Sequence, residues 1–138
     1  MLNTIKKYFK KVKKENSEES SIPSYDFLSQ KLPRIWTGVD LDGTLAYYNR
    51  ASSYERIGAP VPAMLALVKK MINNGIRIKI FTARVQDPEQ VLIIQKWLKD
   101  NGLPELEITN VKDFNMQRLY DDRCIQVERN TGRLIVDN

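Results

Sequence analysis

Two pairs of acidic residues follow apolar segments of the sequence, in positions suited to chemistry on a phosphate group. Asp40 and Asp42 lie where the apolar run 35–40 ends, in the order Asp-Leu-Asp-Gly-Thr, and Asp121 and Asp122 follow Leu-Tyr. One carboxylate can attack phosphorus while a second protonates the leaving oxygen and later deprotonates water. Adjacent acids repel each other unless a cation offsets them, and their oxygens suit Mg²⁺. The alternative interpretation of either pair is a solvated turn.

Three other polar side chains follow predicted strands. Thr82 ends the second apolar run, and its hydroxyl group can donate a hydrogen bond to a phosphate oxygen. Arg84, two residues later, carries a planar guanidinium fork that suits phosphate. Lys112 follows the third run, where its charge would offset negative charge that develops in a reaction. Each has a plainer interpretation, as an ordinary strand residue or a surface cation.

Strands and helices alternate along the chain, and this order indicates how these residues are positioned. The periodicities and turn residues predict strands at 35–40, 76–81, 106–109 and 118–120, helices at 61–74 and 87–101, a helical turn near 113–117, and a hairpin of 124–127 with 133–136. This order predicts an α/β fold, a Rossmann-like parallel sheet covered by helices. Ligands of such sheets bind beyond the carboxyl ends of the strands, where the polar residues lie.

The chain divides by composition into three parts. Residues 1–14 hold six lysines and no acid, with apolar residues at helical spacing, which predicts a basic amphipathic helix. Such a helix can lie on an anionic membrane or dock on a protein partner. Residues 15–33 are interpreted as a linker and residues 34–138 as the catalytic domain. The net charge of +5 therefore belongs to the N-terminal segment, because the rest of the chain is nearly neutral.

Composition also excludes several kinds of chemistry. The chain has no histidine, which excludes histidine-dependent triads and histidine-ligated zinc sites. Its single cysteine, Cys124, cannot form an internal disulfide, so a reducing cytoplasm is the expected compartment, with possible attachment to a membrane through residues 1–14. No apolar run is long enough to span a bilayer or to serve as a secretory signal.

The segment 40–44 resembles the first motif of the haloacid dehalogenase (HAD) superfamily of phosphohydrolases, DxDGT, which it matches fully. The resemblance covers about residues 34–127. It implies that Asp40 is the nucleophile and Asp42 the general acid/base. It also implies that Mg²⁺ is bound by Asp40 and by the backbone carbonyl of Asp42. The expected activity is Mg²⁺-dependent hydrolysis of a phosphate monoester through an aspartyl-phosphate.

Residues at the ends of the later predicted strands resemble the remaining HAD motifs. Thr82 corresponds to the hydroxyl residue of the second motif, and Lys112 best fits the basic residue of the third. Asp121 and Asp122 correspond to the acidic pair of the fourth motif, one or both of which hold the metal. The sequence departs from the family in one respect. Lys112 lies so close before Asp121 that the usual helix between these motifs has little room.

Within the superfamily, the sequences FTAR and YDDR are similar to the phosphatase domain of phage polynucleotide kinases, where an arginine follows the hydroxyl residue as Arg84 does here. This resemblance implies a nucleotide or polynucleotide end phosphatase as an alternative. The intervals between motifs leave no room for a cap domain, so an open site is expected, which favours either a bulky phosphorylated substrate or a cap supplied by another subunit. Arg50 and Arg56 are candidate substrate contacts. A further alternative is a non-catalytic HAD-like binding module recruited through residues 1–14.

Overall fold

Four parallel strands form the sheet on which the predicted site residues lie. The structure, a computed structural model, describes residues 32–49 and 52–136. The strands are β1 (Trp36–Asp40), β2 (Ile78–Phe81), β3 (Glu107–Thr109) and β4 (Met116–Tyr120), in the spatial order β3-β2-β1-β4. The predicted α/β fold with a parallel sheet is confirmed. The central position of β1 places its carboxyl end between those of β2 and β4.

A glycine in the centre of β1 leaves room for larger side chains beside the strand. Gly38 pairs with Lys79 of β2 and with Leu119 of β4. A Cβ atom at Gly38 would lie 3.0 Å from side-chain atoms of both Leu119 and Met116 and 3.2 Å from the ring of Trp36. The absent side chain therefore lets these larger residues pack over the middle of the strand.

Two helices connect the first three strands, and their ends follow local signals. Helix α1 (Pro62–Asn73) begins at a proline, and helix α2 (Pro88–Asp100) begins after Asp87, whose side chain accepts a hydrogen bond from the backbone N–H of Glu89 at 2.9 Å. Glycines in the left-handed region follow both helices. Both predicted helices are confirmed to within one residue at each end.

Both helices pack on the same face of the sheet. Val39, Ile80 and Ile108 from the strands join one buried cluster with Val68 from α1 and Ile94 from α2. These side chains are almost fully excluded from water, as expected for a sheet face covered by two amphipathic helices.

The opposite face carries charged residues instead. The ammonium group of Lys79 lies 4.5 Å from the centroid of the Trp36 ring and 3.6 Å from a carboxylate oxygen of Glu107. The Asp113 side chain contacts both Trp36 and Lys79. It accepts a hydrogen bond from Trp36 Nε1 at 2.8 Å and lies 4.0 Å from Lys79 Nζ. The connection from β3 to β4, residues 110–115, forms no helix and places Asp113 over this face.

The end of the chain forms a separate two-stranded hairpin, and the predicted hairpin is confirmed. Strand β5 (Gln126–Val127) pairs antiparallel with β6 (Leu134–Ile135). The predicted helical turn near 113–117 is wrong: a single turn is closed by Met116 N–H and Asp113 C=O at 3.2 Å, and β4 already begins at Met116.

The predicted helix 1–14 and residues 15–31 of the predicted linker 15–33 lie outside the described residues. Within 32–49 and 52–136, no helix has both the length and the apolar character that crossing a bilayer requires.

Candidate active site

A tight turn after β1 brings the first acidic pair to the end of the sheet. The backbone carbonyl of Leu41 accepts hydrogen bonds from the N–H groups of Leu45 and Ala46 at 3.0 and 2.9 Å, and Gly43 N–H donates to the carbonyl of Ala46 at 2.8 Å. Leu41 and Leu45 are fully buried. Because these leucines anchor the turn in the core, Asp42 between them is held at its outer surface.

Three carboxylates from two strand ends meet beside this turn. Asp40 at the end of β1 and Asp121 and Asp122 after β4 each offer an oxygen, and these oxygens all lie within 4.8 Å of one another. We call these three residues the acidic cluster. Thr44 connects its members, since its hydroxyl oxygen lies 3.3 Å from Asp40 Oδ2 and 3.0 Å from Asp122 Oδ1. The hydroxyl group also accepts the Asp122 N–H at 3.0 Å.

The cluster changes the acidity of its central member. Partial burial, the charge of Asp121 and the nearby carboxyl group of Asp122 together raise the pKa of Asp40 from 3.8 to about 7. The physical cause is that the site places negative charges close together and away from water, which disfavours the ionised form. A divalent cation in the cluster would remove this repulsion, and perturbed carboxylates of this kind are typical of functional sites.

Gly43 is required by the close approach of Asp122. Its φ angle is +90°, and a Cβ atom there would lie 2.6 Å from Asp122 Oδ2. Gly43→Ala should therefore strain the backbone by about 1–3 kcal/mol and also displace Asp122 from the cluster. Gly75→Ala is the matched control, because Gly75 has a φ of +80° and its Cβ would meet nothing within 4 Å.

We expect both alanine variants to lose stability in urea unfolding. If the acidic cluster binds Mg²⁺, only Gly43→Ala should weaken the stabilisation that the added ion gives. Equal Mg²⁺ stabilisation of the two variants would contradict a role for the Gly43–Asp122 contact in shaping the cluster.

Asp42 does not join the acidic cluster but forms an ion pair with Arg84. Arg84 Nε and Nη2 donate to the two carboxylate oxygens of Asp42 at 2.6 and 2.9 Å. The remaining N–H groups of the guanidinium donate to the backbone carbonyls of Ser53 and Tyr54 and to the side chain of Gln90. All five guanidinium N–H groups are thus used. The predicted contact of Arg84 with a phosphate would require one of these bonds to break.

Thr82 lies beside the nucleophile candidate, one strand away. Phe81 is opposite Asp40 in the β1–β2 register, and Thr82 follows directly. Its backbone N–H donates to Thr109 at 2.9 Å, and its hydroxyl oxygen accepts the N–H of Arg84 at 3.2 Å. No acceptor for the hydroxyl proton is found among the described residues, so this proton is available to a ligand.

Lys112 is exposed after β3 and makes no ion pair with a carboxylate in ranges 32–49 and 52–136. Burial, and then the three charges of the acidic cluster, raise the pKa of the exposed Cys124 thiol, whereas the charge of Lys112 lowers it. Lys112 is therefore in electrostatic range of the same end of the sheet. Arg50 lies outside the described residues, and Arg56 is exposed on the loop that follows the turn.

Two residues in this region were given no role from the sequence. Thr44 belongs to the DxDGT motif, so the motif itself was the signal that could have identified the bridging hydroxyl group. Gln90 is only 2% exposed and accepts from Arg84 Nη1 at 2.8 Å. No sequence signal distinguishes it from the other polar residues of an amphipathic helix.

The geometry defines an α/β domain with an acidic site at the carboxyl ends of its central parallel strands. No protein-family model matches the chain, and no curated protein matches it by sequence. A solved structure, described as that of a conserved protein from Bacteroides thetaiotaomicron, superposes with a TM-score of 0.52 at 19% identity, over 65% of this chain and 77% of that one. At this identity the similarity concerns the fold alone.

Proposed function

We propose that this protein is a Mg²⁺-dependent phosphomonoester hydrolase of the HAD type that acts through an aspartyl-phosphate on Asp40. The observation that carries the proposal is the acidic cluster at the end of the central strand, where Asp40, Asp121 and Asp122 offer oxygens within 4.8 Å of one another. A raised pKa of about 7 for Asp40 supports a functional rather than a purely structural role. The complete DxDGT sequence supports the same assignment.

The donor set of the cluster fits Mg²⁺. All three side chains supply carboxylate oxygens, the ligands this ion prefers. Because the oxygens of Asp40, Asp121 and Asp122 lie within 4.8 Å of one another, these three residues would hold the ion between them. When bound, the ion would supply positive charge that offsets repulsion between Asp40 and a phosphate.

The residues of the chain would then act in a defined order. An oxygen of Asp40 attacks phosphorus, the bond from phosphorus to the ester oxygen breaks, and that oxygen takes a proton from Asp42. A water molecule next attacks the phosphoryl group as Asp42 takes a proton from it, which releases phosphate and restores Asp40. The Thr82 hydroxyl donates to a phosphate oxygen, and Lys112 adds positive charge at the same rim.

The experiment that tests this function is an assay of the purified protein with p-nitrophenyl phosphate. We expect turnover in Mg²⁺, a fall to background when EDTA is added, and recovery when Mg²⁺ is supplied in excess. A panel of sugar phosphates, nucleotides and 3′-phosphorylated oligonucleotides then compares substrate classes under the same conditions. The absence of turnover for the whole panel in Mg²⁺, or turnover that is insensitive to EDTA, would refute the proposal.

A further inference from the structure

Among the described residues near the proposed site, Arg84 is a charged side chain whose guanidinium N–H groups all donate hydrogen bonds. Its side chain is 8% exposed, and two nitrogens of its guanidinium, Nε and Nη2, donate hydrogen bonds to the two carboxylate oxygens of Asp42. A bidentate pair of this kind fixes the plane of the carboxylate as well as its position. Asp42 itself keeps 21% of its side chain exposed, so the pair does not close it off from the solvent side of the site.

The same guanidinium connects Asp42 to two other parts of the fold. Nη1 and Nη2 donate to the backbone carbonyls of Tyr54 and Ser53 at 2.6 and 2.9 Å, in the loop that follows the DxDGT turn. Nη1 also donates to Gln90 in the first turn of α2 at 2.8 Å. These contacts hold the fork in one orientation, because each N–H direction has its own acceptor.

We propose that Arg84 is a positioning residue, which orients the carboxyl group of Asp42 toward the leaving oxygen of the substrate and ties that orientation to the loop at Ser53 and Tyr54. This inference rests on the proposed phosphatase function. It assigns Arg84 an action through Asp42 instead of direct contact with the phosphate group.

The chemistry explains why orientation matters at this residue. When the bond between phosphorus and the ester oxygen breaks, the electron pair stays on that oxygen, which must receive a proton if the alcohol is a weak acid. A carboxyl group has about four lone-pair positions, and Arg84 occupies one on each oxygen of Asp42. One of the remaining lone-pair positions of Asp42 can carry the transferred proton. The ion pair with Arg84 sets the direction of these positions, because it fixes the orientation of the carboxyl group.

Substrates with different leaving groups separate positioning from general structural support. An alkyl phosphate needs protonation of its leaving oxygen, whereas p-nitrophenolate leaves without it. For Arg84→Lys we expect kcat/KM for an alkyl phosphate to fall about 100-fold, the lower end of what a general acid contributes. For p-nitrophenyl phosphate we expect a fall of less than about 5-fold, because binding and nucleophilic attack are retained. The ratio kcat/KM is used because it reports only the steps up to release of the alcohol.

Arg77→Lys is the matched control. Arg77 also forms a bidentate pair, with Glu107 at 2.7 and 2.9 Å, but it lies before β2, at the end of the strands away from the acidic cluster. We expect it to change both substrates equally, by the small factor that follows from any loss of stability. Thermal unfolding of both variants checks that their folded fractions are comparable.

A double-variant cycle gives the sharpest outcome. If Arg84 acts through Asp42, adding Arg84→Lys to Asp42→Asn should leave the alkyl-to-aryl ratio of the single Asp42→Asn variant unchanged. Equal losses for both substrates in Arg84→Lys, or a further change of the ratio in the double variant, would overturn the inference. Should Arg84→Lys fail to fold, Gln90→Leu removes one acceptor of the fork and must still lower the ratio. Absence of all Mg²⁺-dependent turnover in the wild type would instead refute the proposed function.

Discussion

Asp40→Asn is expected to reduce kcat for p-nitrophenyl phosphate by about 10⁴-fold or more, the scale seen when a nucleophile is removed. Asparagine has nearly the same shape, but its neutral amide is not a nucleophile and cannot form the acyl-phosphate. The variant should also fail to gain the mass of a phosphoryl group when it is quenched during turnover and measured by mass spectrometry. Wild-type protein should show this added mass at Asp40.

The loss of activity in this variant should not come from unfolding. Because the pKa of Asp40 is about 7 in the folded protein, against 3.8 for an aspartate in an unfolded chain, the folded state keeps its proton over this interval while the unfolded chain loses it. Stability of the metal-free protein therefore falls as pH rises from about 4 to about 7. At pH 8 in EDTA, Asp40→Asn should be more stable than wild type by roughly 1 kcal/mol, since solvent screens this partly exposed group.

A second aspartate variant distinguishes these results from a general effect of lost charge. Asp100 lies exposed at the end of α2, where it pairs only with Lys96 at 2.6 Å among the described residues. Asp100→Asn, purified in the same way, should keep wild-type turnover and unfolding. Residual Asp40→Asn activity within tenfold of the Asp100→Asn level would exclude Asp40 as the nucleophile.

Binding of Mg²⁺ should weaken about 100-fold when the pH is lowered from 8 to 5. In the proposed site the ion binds the ionised carboxylate of Asp40, whose pKa is about 7, so each pH unit below that value would leave about tenfold less of the binding form. The dissociation constant can be measured by calorimetry or from the Mg²⁺ dependence of thermal unfolding, neither of which depends on activity. Binding that stays constant from pH 8 to pH 5 would contradict a site built around Asp40.

Variants of the cluster should change this pH profile in different ways. Asp40→Asn should bind Mg²⁺ weakly, and its affinity should change much less with pH. The reason is that this variant lacks the carboxylate whose protonation competes with Mg²⁺ binding. Asp121→Asn should also weaken Mg²⁺ binding at pH 8. In this variant the affinity should begin to fall at a lower pH than in wild type, because the charge of Asp121 is, after burial, the largest cause of the raised pKa of Asp40. An unchanged midpoint in Asp121→Asn would show that the two carboxylates do not interact.

Much of the fold could be predicted because its signals are local. Pro62 and Asp87 begin the helices, and the glycines after them end them, each through the dihedral angles and hydrogen bonds of a few neighbouring residues. The start of β4 could not be predicted in the same way. Met116 enters the strand because it pairs beside Trp36, far earlier in the chain, and no local pattern reports that pairing.

The charged face of the sheet shows the same limit. Lys79 and Glu107 alternate with apolar residues in a way that is typical of exposed strand positions, yet they are only 5% and 6% exposed. Trp36 and Asp113, from other parts of the chain, contact Lys79, and Glu107 pairs with Lys79 and with Arg77. Their burial depends on partners that sequence periodicity does not identify.

The sequence alone determined which groups stand at the carboxyl ends of the strands, because hydrophobic periodicity places Asp40, Thr82 and Asp121 there and Gly43 permits the turn. Tertiary structure decided what each group contacts. It brought Asp121 and Asp122, which come much later in the chain, close to Asp40. It also paired Asp42 with Arg84, 42 residues away. The physical reason is that a backbone position follows from neighbouring residues, whereas the partner of a charged side chain depends on distant elements and on the rotamers that their packing allows.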